Sequence, residues 1–314
     1  MDFGGKKTKK RVVFGKRKTV NMKKLNCSPE YKNRFYEESC YNKKILFKIR
    51  DAHNKTVKAD ADKIQSDTFK DVYDDLKTKM QKFGCVKEDC WLQTLSYKER
   101  EYLDSVVFAP HHPDEWDKNP TEWLSNYDIN SIMKQYDQFY PEFTFIGSTT
   151  MDFDEKPTDY DGDCVCNNMC NFKVSDCIKK GIRKVGFTIN LDNHNESGSH
   201  WVSMFLDLDD KIIFYFDSAN NPTPRAIKTF VERVKKQCLD ERIKIIYKKN
   251  KHPHQKSNTE CGMYSIFFIV TMLTGDIGRS KLLTKQQKID LFVKNRIKDS
   301  YMIRNRGTIF NSKK

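Results

Sequence analysis

The sequence predicts an α+β fold, and three observations carry that prediction. Five runs, FTFIG (143–147), KVGFTINL (184–191), HWVSMFLDL (200–208), KIIFYFD (211–217) and IKIIYK (243–248), are rich in β-branched and aromatic residues and read as strands. The third and fourth are close enough in sequence to form a hairpin. Helical patterns occur before, between and after the strands without a regular βαβ alternation, which separates this class from α/β.

The first element is a tail. Residues 1–24 hold ten Lys or Arg and one Asp, with no apolar period. A solvated tail is the expected structure. Its Lys6, Lys7, Lys9, Lys10, Arg11, Lys16, Arg17 and Lys18 would suit nucleic acid, and a formal net charge of +14 favours acidic partners generally. From about residue 58 a helical period begins, through Ile64, Phe69, Val72, Tyr73, Leu76, Met80 and Phe83, with Gly84 as a stop. Ser96 and Glu99 form the capping-box pattern SYKE ahead of Tyr102, Leu103, Val106 and Val107. These patterns predict a small helical domain over 25–113. The span APHHPDEWDKNPTEW, with three prolines, reads as a linker into a second domain over 114–314. There WLSNYDINSIMKQYDQF, AIKTFVERVKKQCL and KQQKIDLFVKNRI read as helices. The chain of 314 residues is long enough to bury a substantial core. Its longest apolar run, Met263 to Leu273, is half of the roughly 20 residues a spanning helix needs. With no apolar leader in the N-terminal segment, a cytosolic or nuclear protein is expected. In such a compartment the ten cysteines should be mostly free thiols or ligands.

Chemistry enters at HQKSNTECGMY (254–264), where a polar loop meets the apolar run CGMYSIFFIVTML. That run is hydrophobic on all sides, as in a central buried helix, and Gly275 would end it. Cys261 thus falls at a helix N-terminus, where unpaired N–H groups and the positive dipole end favour a thiolate. Gly262 leaves room for a close approach. In the hairpin, a two-residue loop at Leu208-Asp209 would set His200 opposite Asp217, close enough for an imidazole–carboxylate hydrogen bond. Gln255 supplies an amide that can donate to an oxyanion beside the Cys261 N–H. Taken singly, each has a plainer reading: a strand-end His, a turn-opening Asp in FDSANNP, a loop Gln, a core Cys.

Together, His200-Trp201, Asp217, Gln255 and Cys261-Gly262 resemble the site of the SUMO-protease (Ulp/SENP) clan of cysteine proteases, in the order His, Asp, Gln, Cys. WLSNYDI is similar to that clan's WLND-type substrate segment, and the likeness runs from about 115 to 280. The resemblance implies a papain-like, Ulp-type domain: a central mixed sheet and a buried helix carrying the nucleophile, beside the small helical N-terminal domain. It implies catalytic His200, Asp217, Cys261 and Gln255, no metal and no cofactor. Trp123, Leu124, Asn126 and Trp201 would bind substrate, the two tryptophans flanking a channel for a Gly-Gly tail. Asn126 stands where the clan often has Asp, which weakens a case for SUMO itself. FTFIGSTTMDFD and MIRNRGTIF resemble maturation proteases of large cytoplasmic DNA viruses. That likeness implies cleavage after glycine in structural polyproteins, in the host cytoplasm and the virion. A deconjugase for ubiquitin-like modifiers and an inactive nucleic-acid-binding virion protein are the alternatives.

Other motifs compete less well. Cys164, Cys166, Cys170 and Cys177 lack the paired spacing of zinc ribbons and read as core thiols. Cys85 and Cys90 are a weaker case still. His252 and His254 read as solvated loop residues. Gly4-Gly5 is a candidate for self-cleavage.

Overall fold

The computed structural model describes residues 25–32, 39–278 and 282–312. The basic segment 1–24, with its Gly4-Gly5 pair, lies outside the described residues.

The chain divides into two compact units, one holding Lys43–Leu95 and the other Leu25–Asn42 with Ser96–Lys314. The division falls at residue 95, not at 113. The reason is local stitching. Ser28 N donates to Val107 O at 2.9 Å, and the Asn311 amide donates to Asn26 O and Ala109 O at 3.0 and 2.8 Å. Residues 25–28 and 96–112 are thereby tied to the C-terminal end of the larger unit.

In the smaller unit, helix α1 spans Lys43–Thr56 and α2 spans Phe69–Lys82. Helix α1 is not among the helices expected from the sequence, although Ile45, Leu46, Ile49 and His53 fall on one buried stripe. Helix α2 begins later than 58 because Thr68 caps it, its side chain accepting from Asp71 N. Ile64 lies before the helix, bonded through its N–H and C=O to the Asn54 amide.

The larger unit opens with α3 (Tyr97–Val107) and α4 (Asn126–Phe139). Strand β1 (Phe143–Thr150) follows, then short helices α5 (Asn167–Cys170) and α6 (Val174–Lys179). Strands β2 (Lys184–Asn190), β3 (Trp201–Asp207) and β4 (Ile212–Phe216) lead to α7 (Arg225–Asp240) and β5 (Ile246–Lys249). Helices α8 (Cys261–Thr274), α9 (Lys285–Val293) and α10 (Asp299–Ile309) complete it. The five strands form one mixed sheet in the order β1-β2-β3-β4-β5, with parallel pairs at both edges and antiparallel pairs in the middle. This is the α+β sheet the sequence predicts.

Both faces of the sheet are covered, so the central strands are apolar on both sides. Phe205, Ile212, Phe214 and Phe216 pack with residues of α4, α8, α9 and α10. The alternate residues Val202, Met204, Leu206, Ile213 and Tyr215 pack with those of α6 and α7. Helix α8 is the core of the first layer, with twelve of its residues buried. Its all-round apolarity follows from having neighbours on every side. Gly275 ends it at φ 72°, a left-handed conformation that glycine adopts without a Cβ penalty.

Six of the ten cysteines are paired, as Cys27–Cys40, Cys85–Cys90 and Cys164–Cys170. This corrects the expectation of free thiols, which weighed compartment alone. The pairs have Cα separations of 5.3, 5.6 and 6.3 Å, within the range a bridge requires. Cys166, Cys177, Cys238 and Cys261 remain as thiols.

Candidate active site

The site assembles where the hairpin, a polar loop and the start of α8 meet. His200 stands immediately before β3 and Asp217 immediately after β4. The hairpin register differs from the expected one. Ser203 pairs with Phe216 and Met204 with Tyr215, so opposed residue numbers sum to 419 rather than 417. The turn holds four residues, 208–211, not two. The Asp207 carboxylate accepts from the N–H of Asp209 and of Asp210, and Lys211 takes φ 56°, which stabilises the longer turn. A shift of two keeps side chains on the same face. His200 and Asp217 are therefore diagonal neighbours, and His200 Nε2 still reaches Asp217 Oδ1 at 2.7 Å.

Asp217 serves two roles that the sequence presents as alternatives. Its Oδ1 accepts from Ala219 N at 2.8 Å and its Oδ2 from Asn221 N at 2.7 Å, so it does open the turn. The same carboxylate holds the imidazole. Asn250 fixes it from behind, accepting from Asp217 N and donating to Asp217 O. Burial would raise the carboxyl pKa, but the His200 hydrogen bond, the His200 charge and the two amides outweigh it and hold it below the usual range. His200 shows the reverse balance. Burial lowers it, yet the hydrogen bonds to Asp217 and to the Cys261 sulfur raise it to about 9. At neutral pH this favours an imidazolium between a carboxylate and a sulfur.

Cys261 is the first residue of α8. Its N–H is one of the four that a helix start leaves without an intrahelical acceptor. A Cβ on Gly262 would lie 3.0 Å from Leu124 Cβ, so the glycine lets the Leu124 segment close against α8. Gln255 is fixed by a residue the sequence reading passed over. Ser218 Oγ donates to Gln255 Oε1 at 2.7 Å, and Gln255 N donates to Ser218 O at 3.0 Å. With its oxygen occupied, the amide keeps Nε2 as a donor. Ser218 is adjacent to Asp217 in sequence, which is the one local signal that points to it.

His254 is not solvated. It is wholly buried, its Nε2 3.0 Å from Phe292 O and its Nδ1 accepting from Ile297 N. Those partners specify the Nε2–H tautomer. Burial lowers its pKa to about 4, so it is neutral and structural.

The expected substrate residues divide. Trp123 and Asn126 are exposed, while Leu124 and Trp201 are buried. Trp201 Nε1 donates to Leu124 O at 2.9 Å, which ties the two segments together. Leu124 supports the wall from inside. The helix read from WLSNYDINSIMKQYDQF starts three residues late, at Asn126, because Ser125 and Asp128 form a capping box. Trp123 and Leu124 precede it as loop. Among the described residues no group of three or more His, Cys, Asp or Glu is arranged to hold a metal.

The mixed sheet and the ordered His200, Asp217 and Cys261 invite comparison with cysteine proteases of the Ulp type. Residues 187–306 match the model of the Ulp1 protease family, C-terminal catalytic domain. The chain is 36% identical over 180 residues to "Putative thiol protease R355" of Acanthamoeba polyphaga mimivirus, an alignment covering 56% of each protein. It is 29% identical over 203 residues to a SUMO-1 cysteine protease of African swine fever virus, covering 61% of this chain and 74% of that one. The crystal structure of an African swine fever virus protease shares the fold, with a TM-score of 0.59 at 23% identity over 91% of this chain and 96% of that one. The chain thus spans little more than half the length of the mimivirus relative.

Proposed function

We propose that this protein is a cysteine endopeptidase that cleaves after glycine, with a structural polyprotein as substrate. The observation that carries the reading is the His200–Asp217 hydrogen bond of 2.7 Å, with Cys261 near enough to help raise the imidazole's pKa. Nucleophile, base and orienting carboxylate are the parts that covalent hydrolysis requires.

In the proposed cycle the Cys261 sulfur attacks the carbonyl carbon of the scissile bond. The oxyanion receives hydrogen bonds from the Cys261 N–H and Gln255 Nε2. His200 gives its proton to the leaving amine, and a thioester remains on Cys261. His200 then takes a proton from water, which attacks the thioester and restores the sulfur. Asp217 keeps the imidazole oriented and stabilises its cationic form throughout. We infer that the acyl residue passes beside Trp123 and Trp201, whose segments the Trp201 Nε1 to Leu124 O hydrogen bond joins, and glycine there avoids a side-chain clash.

Cleavage of a panel of peptides with Gly, Ala or Val before the scissile bond tests this. Turnover confined to the Gly peptides and absent from Cys261→Ala supports it; equal turnover by Cys261→Ala refutes it. The African swine fever virus relative carries SUMO-1 in its name, and a deconjugase would share the chemistry. Asn126, exposed at the start of α4, argues for the polyprotein reading. A fluorogenic SUMO substrate turned over faster than every Gly peptide would reverse that preference.

A further inference from the structure

Two buried residues outside the proposed catalytic set converge on the site. Glu260, immediately before Cys261, is 0% exposed, and Arg306 of α10 is 4% exposed. Arg306 Nε donates to Glu260 Oε2 at 2.9 Å and Nη2 to Glu260 Oε1 at 3.0 Å, a bidentate pair. The same guanidinium donates to Thr259 O at 3.2 Å. Its Nη1 donates to Pro120 O at 3.2 Å and Glu122 O at 2.8 Å, and Nη2 also reaches Thr121 O at 3.3 Å. Its carbon lies 4.2 Å from the Trp116 ring centroid. Trp116 itself donates to Glu122 O.

We propose that Arg306 is a positioning residue with two separable tasks: neutralising Glu260 beside the nucleophile, and holding the carbonyl run 120–122 that delivers Trp123 to the substrate passage. The inference rests on the protease reading of Cys261 given above. A buried carboxylate one residue before Cys261 opposes a negative sulfur, and an opposed guanidinium cancels that field. The tether is a matter of geometry. Arg306 offers its donors in a planar fork, and their acceptors lie on two segments far apart in sequence, 120–122 and 259–260. A lysine could retain the charge but not the fork.

The two tasks predict different variants. Arg306→Lys keeps Cys261 reactive towards iodoacetamide at pH 7, within about threefold, and keeps kcat, while KM for a Gly peptide rises about tenfold as Trp123 loses its anchor. Arg306→Met leaves Glu260 unpaired and slows both alkylation and kcat at least about tenfold. Adding Glu260→Gln to Arg306→Met restores alkylation and kcat but not KM. Circular dichroism and the melting temperature establish that each variant is folded. If Arg306→Met does not fold, the double variant against Arg306→Lys carries the test. A role in stability alone would change kcat and KM in step with the melting temperature and would show no rescue by Glu260→Gln. That result overturns the proposal. Alkylation needs no substrate, so a wild-type chain that alkylates at Cys261 yet cleaves no peptide refutes the protease reading and with it the Trp123 task, while the alkylation series still decides the Glu260 task.

Discussion

Replacing Asp217 by Asn isolates the carboxylate's part in the site. His200 is raised from 6.5 to about 9 by Asp217 and Cys261 together, after burial has pulled the other way. A shift of that size corresponds to ~3 kcal/mol of preference for the imidazolium, at 1.36 kcal/mol per unit. Asp217 is the first of the raising partners, so its loss should lower the His200 pKa. The amide also cannot accept three hydrogen bonds as the carboxylate does, since its NH2 must face Ala219 N, Asn221 N or the imidazole. The expected outcome is a fall in kcat of about 10²-fold, with KM little changed, because the lost interaction is one the transition state uses most. Steady-state hydrolysis of a Gly peptide at pH 7 measures it. NMR titration of His200 should show its pKa falling toward 6.5 in the same variant. A kcat within about threefold of wild type, in a folded variant whose His200 titration has moved, would refute the reasoning.

Further outcomes follow from other contacts. Gln255→Ala should lower kcat by about 10²–10³ if its amide stabilises an oxyanion; Ser218→Ala, which frees Gln255 Oε1, should cost about tenfold less, and equal effects would contradict the division of labour. Gly262→Ala puts a Cβ 3.0 Å from Leu124 Cβ; it should destabilise the fold by about 1–3 kcal/mol in urea unfolding, and Leu124→Ala should recover part of the loss. The raised pKa of His200 contributes stability that is complete below its unfolded value of 6.5 and is lost as pH climbs to about 9. The unfolding free energy of His200→Gln should therefore match wild type more closely at pH 10 than at pH 6, and activity of the wild type should decline above pH ~9 as the imidazolium deprotonates.

The sheet was legible because each strand is short, apolar and β-branched, and because α8 is apolar throughout. Helix α1 was harder to see, since its stripe of Ile45, Leu46 and Ile49 is crowded by charge on the other faces. The exact hairpin register was hidden in the Asp207 turn, yet the same-face relation of His200 and Asp217 survives any even shift. His254 misled because its neighbours 250–258 are polar, while its burial comes from Phe292 and Ile297, about forty residues away. Arg306 lies within the MIRNRGTIF run, but nothing in that run points to its partners. These hydrogen-bond partners lie 46–47 and 184–186 positions away, a separation only the folded chain closes.

The central claim is tested most directly by intact-mass and peptide-map analysis after exposure to a short peptide ending in a glycine-derived vinyl sulfone. One adduct is expected, on Cys261, formed at a rate that falls at least about tenfold in His200→Ala. An adduct on another cysteine, or one on Cys261 indifferent to His200, would contradict it.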